Sequence, residues 1–295
     1  MLESTVRSAI YRLTNRAAAW LGYRLVRDTM YSPLPEVPEN HSPEWELNSS
    51  LAGLSIETPT QLKWLREELS VYFKEFFPVE ERDSEAWKLY SQNAFYTTGD
   101  AEVLYGMLRY FKPARVLEIG SGFSTLVSAM AISRNARDGA LTRFTSVDPE
   151  PRLSLPEPYR DYVELRECRS QDLALDTYLA LDRGDFLIID STHTVKRGSD
   201  VNHLILEVLP RLRRGSVVHF HDIFLPWDYP REWFRQGVYL AEQYLLQGYL
   251  SENPRYRVLL AMHMLARNHP NQIRDLIPDY RPYYHGPSAF WMERQ

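Results

Sequence analysis

Val116–Thr125 reads VLEIGSGFST. An apolar run ends in Gly120-Ser121-Gly122, and a helix-forming stretch follows at once. Glycines at such a strand-to-helix turn let the backbone approach a ligand closely, and the next helix offers free N–H groups at its N-terminus. The spacing is G-x-G without the third glycine of the dinucleotide fingerprint, so a ligand cradle and a plain tight turn both remain open. Working outward, apolar strand-like runs fall at 115–119, 143–147, 163–167, 186–190 and 216–220, with two more at 256–262 and 288–293. Helix-like segments such as 124–134 and 199–213 lie between the first five. Strand–helix alternation of this kind predicts an α/β domain, a mostly parallel sheet with helices on both faces.

The remaining sequence narrows the class of protein. The chain has 295 residues, 44% hydrophobic and 25% charged, which is ordinary globular usage and excludes a disordered or collagen-like chain. Lys and Arg number 34 against 39 Asp and Glu, a net charge of −5. A protein that relies on neutralising phosphates is basic, so nucleic acid is not an expected partner. The single cysteine, Cys168, excludes an internal disulfide framework and a cysteine zinc cluster. No stretch approaches the ~20 apolar residues of a spanning helix, and the N-terminus lacks a signal-peptide core, so a cytoplasmic protein is expected.

Residues 1–92 read as a helical N-terminal region, and 93–295 as the main domain. Within 1–27, Arg7, Arg12, Arg16, Arg24 and Arg27 accompany Val6, Ile10, Leu13, Ala17 and Leu21 at helical spacing. Such a basic amphipathic helix suits a membrane surface, its own protein or a homodimer mate, packing being the default. Prolines 33, 35, 38, 43 and 59 mark an extended connector over 31–60. Helical periodicity returns over 60–77, with Leu62, Leu65, Leu69, Phe73 and Phe76 on one face, and a short helix is expected at 84–91. Asp100 is placed to cap a helix through AEVLYGMLRYF.

The second strand-like run ends in Asp148-Pro149, where an acid can accept both hydroxyls of a ribose. The fourth ends in Asp190-Ser191-Thr192-His193 and the fifth in His219-Phe220-His221-Asp222. The set formed by E-x-G-x-G after strand one, an acid after strand two and an acid after strand four resembles the class I S-adenosylmethionine-dependent methyltransferases, over roughly residues 93–295. The resemblance implies a Rossmann-like sheet of seven strands, closed by a reversed hairpin that SAFWME would supply. It implies that Glu118, Gly120, Ser121 and Gly122 line the methionine and ribose part of S-adenosylmethionine and that Asp148 holds the ribose. It also implies that Ser170, Gln171 and Asp172 flank the adenine and that Asp190 faces the transferable methyl group. Asp172 also suits a helix N-cap for 173–181.

Methyl transfer to a hydroxyl requires alignment and removal of a proton, by a base or by a metal that acidifies the hydroxyl. Alternation places His219 and His221 on one side of their strand, and parallel strands bring both tips to the carboxyl edge. In one reading Asp190, His221 and Asp222 hold a divalent metal, resembling catechol and macrolide-sugar O-methyltransferases. His221 stands where those families have an acid, and imidazole suits manganese, iron or zinc better than magnesium. In the other reading His193 or His221 is a general base poised by neighbouring acids. The aromatic loop from Ile223 to Phe234 is a candidate lid or wall, with Asn93, Phe95 and Tyr96 opposite, and Arg152, Lys196 and Arg197 are candidate receivers of an anionic acceptor. The expected activity is methylation of a small-molecule acceptor, a hydroxyl of a sugar or natural product. A cephalosporin hydroxylase-like metal enzyme on the same sheet, or a catalytically silent cofactor-binding scaffold, are the alternatives.

Overall fold

The computed structural model describes residues 2–26, 29–35, 48–77, 81–278, 280–281 and 285–295, with side chains from residue 10 onward. Two compact units divide at Met1–Asn40 and His41–Gln295, so the units part well before the expected boundary at 92/93. In the first unit, helix α1 (Leu2–Trp20) is followed by a turn back onto its own flank. Asn15 accepts from the Leu25 amide at 2.9 Å and donates to the Leu25 carbonyl at 3.1 Å, and the Tyr11 hydroxyl donates to the same carbonyl at 3.1 Å. Ile10, Leu13 and Leu21 of the expected stripe are exposed. The side chains of Val6, Arg7 and Arg27 lie outside the described residues, as do Pro38 and Pro43 of the connector. Among the described residues no helix is long and apolar enough to cross a membrane.

The second unit begins with α2 (Thr58–Trp64), which takes Pro59 into its first turn, so the connector ends earlier than the prolines suggest. A π turn over Leu65–Leu69 leads into α3 (Ser70–Phe73), and α4 (Glu85–Ser91) follows, capped by Ser84 accepting from the Trp87 amide at 3.1 Å. Leu62, Leu65, Leu69, Phe73 and Phe76 are all buried, as the periodicity requires. Helix α5 (Asp100–Phe111) takes Gly99, not Asp100, as its N-cap residue, which frees the Asp100 carboxylate for another use.

Strands β1 (Arg115–Ile119), β2 (Arg143–Val147), β3 (Val163–Arg166), β4 (Phe186–Ile189), β5 (Val217–Phe220), β6 (Tyr256–Ala261) and β7 (Phe290–Arg294) form one sheet in the order β3-β2-β1-β4-β5-β7-β6. The first five are parallel and β7 is antiparallel to both neighbours, the reversed hairpin expected from SAFWME. Helix α6 (Phe123–Arg137) follows β1, α7 (Leu175–Leu179) follows β3, and α8 (Asp200–His203) follows β4 and runs on as a π turn over Leu204–Val208. Helices α9 (Arg231–Arg235) and α10 (Glu242–Leu250) follow β5, and α11 (Met262–Asn268) and α12 (Pro270–Leu276) join β6 to β7. Helix α7 starts at Leu175 behind Ala174, with no side-chain cap, so Asp172 is not its N-cap.

Side chains alternate across the sheet and build two cores. Val116, Phe144, Phe186, Ile188 and Trp291 join residues of α5 and α6 on one face. Leu117, Val147, Leu187, Ile189, Val218 and Met292 join residues of the π turn and α10 on the other. At ~25 cal/mol per Å² of apolar surface removed from water, burial on two faces is the dominant driving force and fixes the strand register. The tips of β1, β2, β4 and β5 consequently end at one edge.

Candidate active site

The turn after β1 is held by its neighbours. The Gly120 amide donates to the Val147 carbonyl at 2.9 Å, and the Asp190 amide donates to the Ile119 carbonyl at 2.9 Å. Gly120 has φ +96°, and a Cβ there would stand 2.0 Å from the Asp190 carbonyl oxygen, so only glycine fits. Gly122 has nothing within 4 Å of the position its Cβ would take. The turn is therefore closed on the sheet side and open on the other, the shape of a cradle. Asp148 accepts from the Ser121 amide at 2.9 Å through Oδ2 and from the Glu150 amide at 2.7 Å through Oδ1, which leaves each oxygen capacity for a ribose hydroxyl. Glu118 is fully buried beneath the turn and accepts from the Ser124 and Thr125 hydroxyls, both at 2.7 Å. Burial raises its carboxyl to about 7 against those hydrogen bonds.

The adenine candidates are placed less favourably. Ser170 is buried, Gln171 donates to the Gly198 carbonyl at 2.9 Å, and Asp172 is exposed in a two-bond fork with Arg169 at 2.8 and 2.9 Å. An adenine amino group would have to share the Asp172 carboxylate with that guanidinium.

At the tips of β4 and β5 the structure brings Asp190, His193, His221 and Asp222 together. His193 Nε2 lies 3.2 Å from Asp190 Oδ1 and 3.7 Å from Asp222 Oδ2. His221 Nδ1 lies 3.6 Å from Asp190 Oδ1 and 3.5 Å from Asp222 Oδ1. The far nitrogens meet acids that the sequence did not single out for this place. His193 Nδ1 is 2.7 Å from Glu242 Oε2, at the start of α10, and His221 Nε2 is 3.3 Å from Asp100 Oδ2, at the start of α5. Asp100 also accepts from the Ser288 amide at 2.9 Å and the Ala289 amide at 2.8 Å, tying α5 to the entry of β7. His193 and Asp222 both have positive φ, 54° and 57°. Non-glycine residues held there store strain, and such strain gathers at functional positions.

The charges follow from this arrangement. Burial opposes a charge on His193, but hydrogen bonds to Asp190 and Glu242 overcome it and raise the imidazole well above its ordinary value. Burial opposes His221 likewise, and the Asp222 and Asp190 carboxylates raise it. Burial favours a neutral Asp190, yet the His221 charge and both imidazole hydrogen bonds hold it well below the carboxylate range. Asp190 keeps 30% of its side chain exposed, a face turned to solvent and to any ligand. His219 behaves oppositely. Burial, then the His221 charge, lowers it to about 3, and it sits neutral, stacked on Trp291 with centroids 4.4 Å apart and 3.1 Å from the Tyr96 hydroxyl.

Asp190, His221 and Asp222, the expected metal set, converge at these tips. Among the described residues no group of three or more His, Cys, Asp or Glu side chains is arranged to hold a metal ion. Each imidazole is hydrogen-bonded to a carboxylate at its far nitrogen and faces Asp190 and Asp222 with the near one.

The flanking candidates are rigid. Gln243 accepts from the Phe224 amide at 2.9 Å and donates to the Trp227 carbonyl at 3.2 Å, while its own amide donates to the Tyr229 hydroxyl at 2.9 Å. The aromatic loop is thus a pinned wall. Tyr96 is buried with its ring 4.7 Å from that of His221, whereas Phe95 is 82% exposed and Asn93 caps the turn between them. Arg152, Lys196 and Arg197 are exposed.

Residues 117–223 match the family model described as a methyltransferase domain. The matched segment runs from β1 to the tip of β5, the parallel part of the seven-stranded Rossmann-like sheet. Over 161 residues it is 28% identical to an uncharacterised protein of Archaeoglobus fulgidus, covering 52% of this chain and 71% of that one. Among solved structures it is similar to the O-methyltransferase TomG of Streptomyces achromogenes in complex with S-adenosylmethionine, at 14% identity and TM-score 0.41, over 79% of this chain and 97% of that one. It is also similar to an O-methyltransferase of Bacillus cereus with S-adenosylhomocysteine, at 16% identity and TM-score 0.35, over 76% and 91% of the two chains. Asp100, Glu242, Ser288 and Tyr96 all lie outside the matched segment.

Proposed function

We propose that the chain transfers the methyl group of S-adenosylmethionine to a hydroxyl of a small-molecule acceptor, a sugar or a natural product. The observation that carries this reading is the dyad of His193 and Glu242 at the edge where the Gly120–Gly122 cradle opens. The cradle and Asp148 fit the cofactor, which when bound supplies an activated methyl group on a sulfonium. With the cofactor held there, that methyl carbon would be available to an acceptor oxygen, and His193 Nε2 is placed to take the hydroxyl proton. Glu242 at Nδ1 stabilises the imidazolium that results, the role a buried carboxylate takes behind a catalytic histidine. The resting imidazole is protonated by its carboxylate neighbours. A cationic ligand facing Asp190 pushes it back toward the neutral, proton-accepting form.

Calorimetric titration with S-adenosylhomocysteine tests the first half. Two charge-assisted hydrogen bonds to the ribose, ~1.5–3 kcal/mol each, make Asp148→Ala lose affinity by about a hundredfold or more. Incubation with methyl-labelled cofactor and a panel of hydroxylated acceptors tests the second half. No binding of the homocysteine product by the unmodified chain overturns the assignment.

A further inference from the structure

The β5–β7 and β7–β6 registers put Val217 opposite Glu293, and Glu293 opposite Arg257. These residues mark the amino edge of the parallel strands, the edge away from the His193 cluster. There the described residues line a cleft of about 1030 Å³, between α2 with its π turn and the outer strand β6. That is the upper range of small-ligand sites. Three features of its wall converge. Five carboxylates line it, Glu57, Glu67, Glu68, Glu252 and Glu293, against two cations, Lys63 and Arg257. Lys63 stands 3.9 Å from Glu67 and Arg257 stands 2.8 Å from Glu293, so Glu57, Glu68 and Glu252 are in excess. The half-buried Trp64 indole, set edge-on to Tyr110 at 5.7 Å, gives the cleft an aromatic side. Gln61 also lines the cleft and is 3% exposed. Its Oε1 accepts from the Ala261 amide at 3.0 Å, while its Nε2, a buried donor, has no partner. Buried donors without partners are rare because they lose water and gain nothing.

We propose that this cleft binds a small aromatic amine that also carries a hydroxyl or carbonyl acceptor. The ammonium lies among the excess carboxylates, the ring against Trp64, and the acceptor on Gln61 Nε2. An aromatic ring set against an indole gains from ring–ring packing beyond the area it buries. The site is independent of the methyl-transfer reading, since it shares none of those residues.

Tyramine is the test probe, titrated calorimetrically into the full chain with and without S-adenosylhomocysteine, so that failure at one edge is distinguishable from failure at the other. Tyramine should saturate one site in both conditions. Phenethylamine, which lacks the hydroxyl, should bind several-fold more weakly, and 4-hydroxyphenylacetate, with the opposite charge, should not bind. Glu68→Gln combined with Glu252→Gln, both at exposed positions, should weaken tyramine by about tenfold. Absence of saturable tyramine binding, equal binding of 4-hydroxyphenylacetate, or unchanged affinity in the double variant each overturns the proposal. Equal binding of phenethylamine also overturns it, because the buried Gln61 donor then recognises nothing.

Discussion

Glu118 places a titration near neutral pH beneath the glycine turn. It is 0% exposed, and burial raises its carboxyl from 4.5 to about 7 despite two hydroxyl donors. An acid raised in this way keeps its proton in the fold while the unfolded chain gives it up. Its penalty on folding is absent below about 4.5, grows through the window, and is fully present above about 7. The gap between those values is worth about 3 kcal/mol, from ~1.36 kcal/mol per pKa unit. Glu118→Gln removes the titration yet keeps an oxygen for one hydroxyl and an amide for the other. Equilibrium urea unfolding of both proteins between pH 4.5 and 8 isolates this group, because all other titrations cancel in the difference. The stability of the variant relative to the parent should climb by about 3 kcal/mol across the window, most of it between pH 5 and 7. A difference flat within about 0.5 kcal/mol, or one that falls with pH, would refute the argument that burial outweighs the two hydrogen bonds.

Gly120→Ala meets the Asp190 carbonyl at 2.0 Å with φ +96°, and should cost well over 2 kcal/mol in urea unfolding. Gly122→Ala meets nothing within 4 Å, so it should unfold like the parent while losing about tenfold in S-adenosylhomocysteine affinity. His193 is raised by Asp190 and Glu242, so its base form appears only as pH rises, and kcat/KM should climb through a limb lying above 6.5. Glu242→Gln should move that limb to lower pH, and His193→Asn should abolish it with a ~100-fold or greater loss of kcat; a limb unmoved by Glu242→Gln contradicts the dyad. Since the acids at the strand tips are paired with imidazoles, prolonged EDTA treatment should leave product formation unchanged, and restoration by Mn²⁺ or Mg²⁺ after a loss would show the opposite.

The parts legible in the sequence are those written as local pattern. Strand runs, the glycine turn and the tip motifs DSTH and HFHD are each contiguous, and the sheet needs only their alternation to place them on one edge. The boundaries shifted where tertiary demands outweighed propensity: Pro59 serves as a helix start rather than a connector residue, and Gly99 takes the N-cap position that Asp100 would ordinarily fill. The second ring of the site was illegible for a different reason. Glu242 comes 49 residues after His193 and Asp100 comes 121 before His221, each at the first turn of a helix, where an acid is already explained by the helix dipole. Only the fold turns those carboxylates inward.

That second ring is what the general-base reading of the strand tips rests on. A histidine with one acid beside it is compatible with holding a metal or with moving a proton. Here each imidazole has acids at both nitrogens, and of those acids Asp190 and Asp222 keep part of their side chains exposed. Neutral Asp and Glu would be the ordinary answer to such burial, and for Glu242 burial does raise the carboxyl. Asp190 goes the other way because the His221 charge, and then the contact with His193, outweigh its burial. The cluster is therefore a store of exchangeable protons held near a face of Asp190 that remains open. His219, buried one position behind on the same side, is kept out of that exchange by its stack on Trp291 and by the charge of His221. A cationic ligand arriving at Asp190 would change the balance for His193 and His221 together, so on the proposed reading cofactor binding and proton acceptance are linked through one carboxylate. The linkage is reciprocal: protonation of the two imidazoles should weaken the binding of a cationic cofactor more than that of its neutral product.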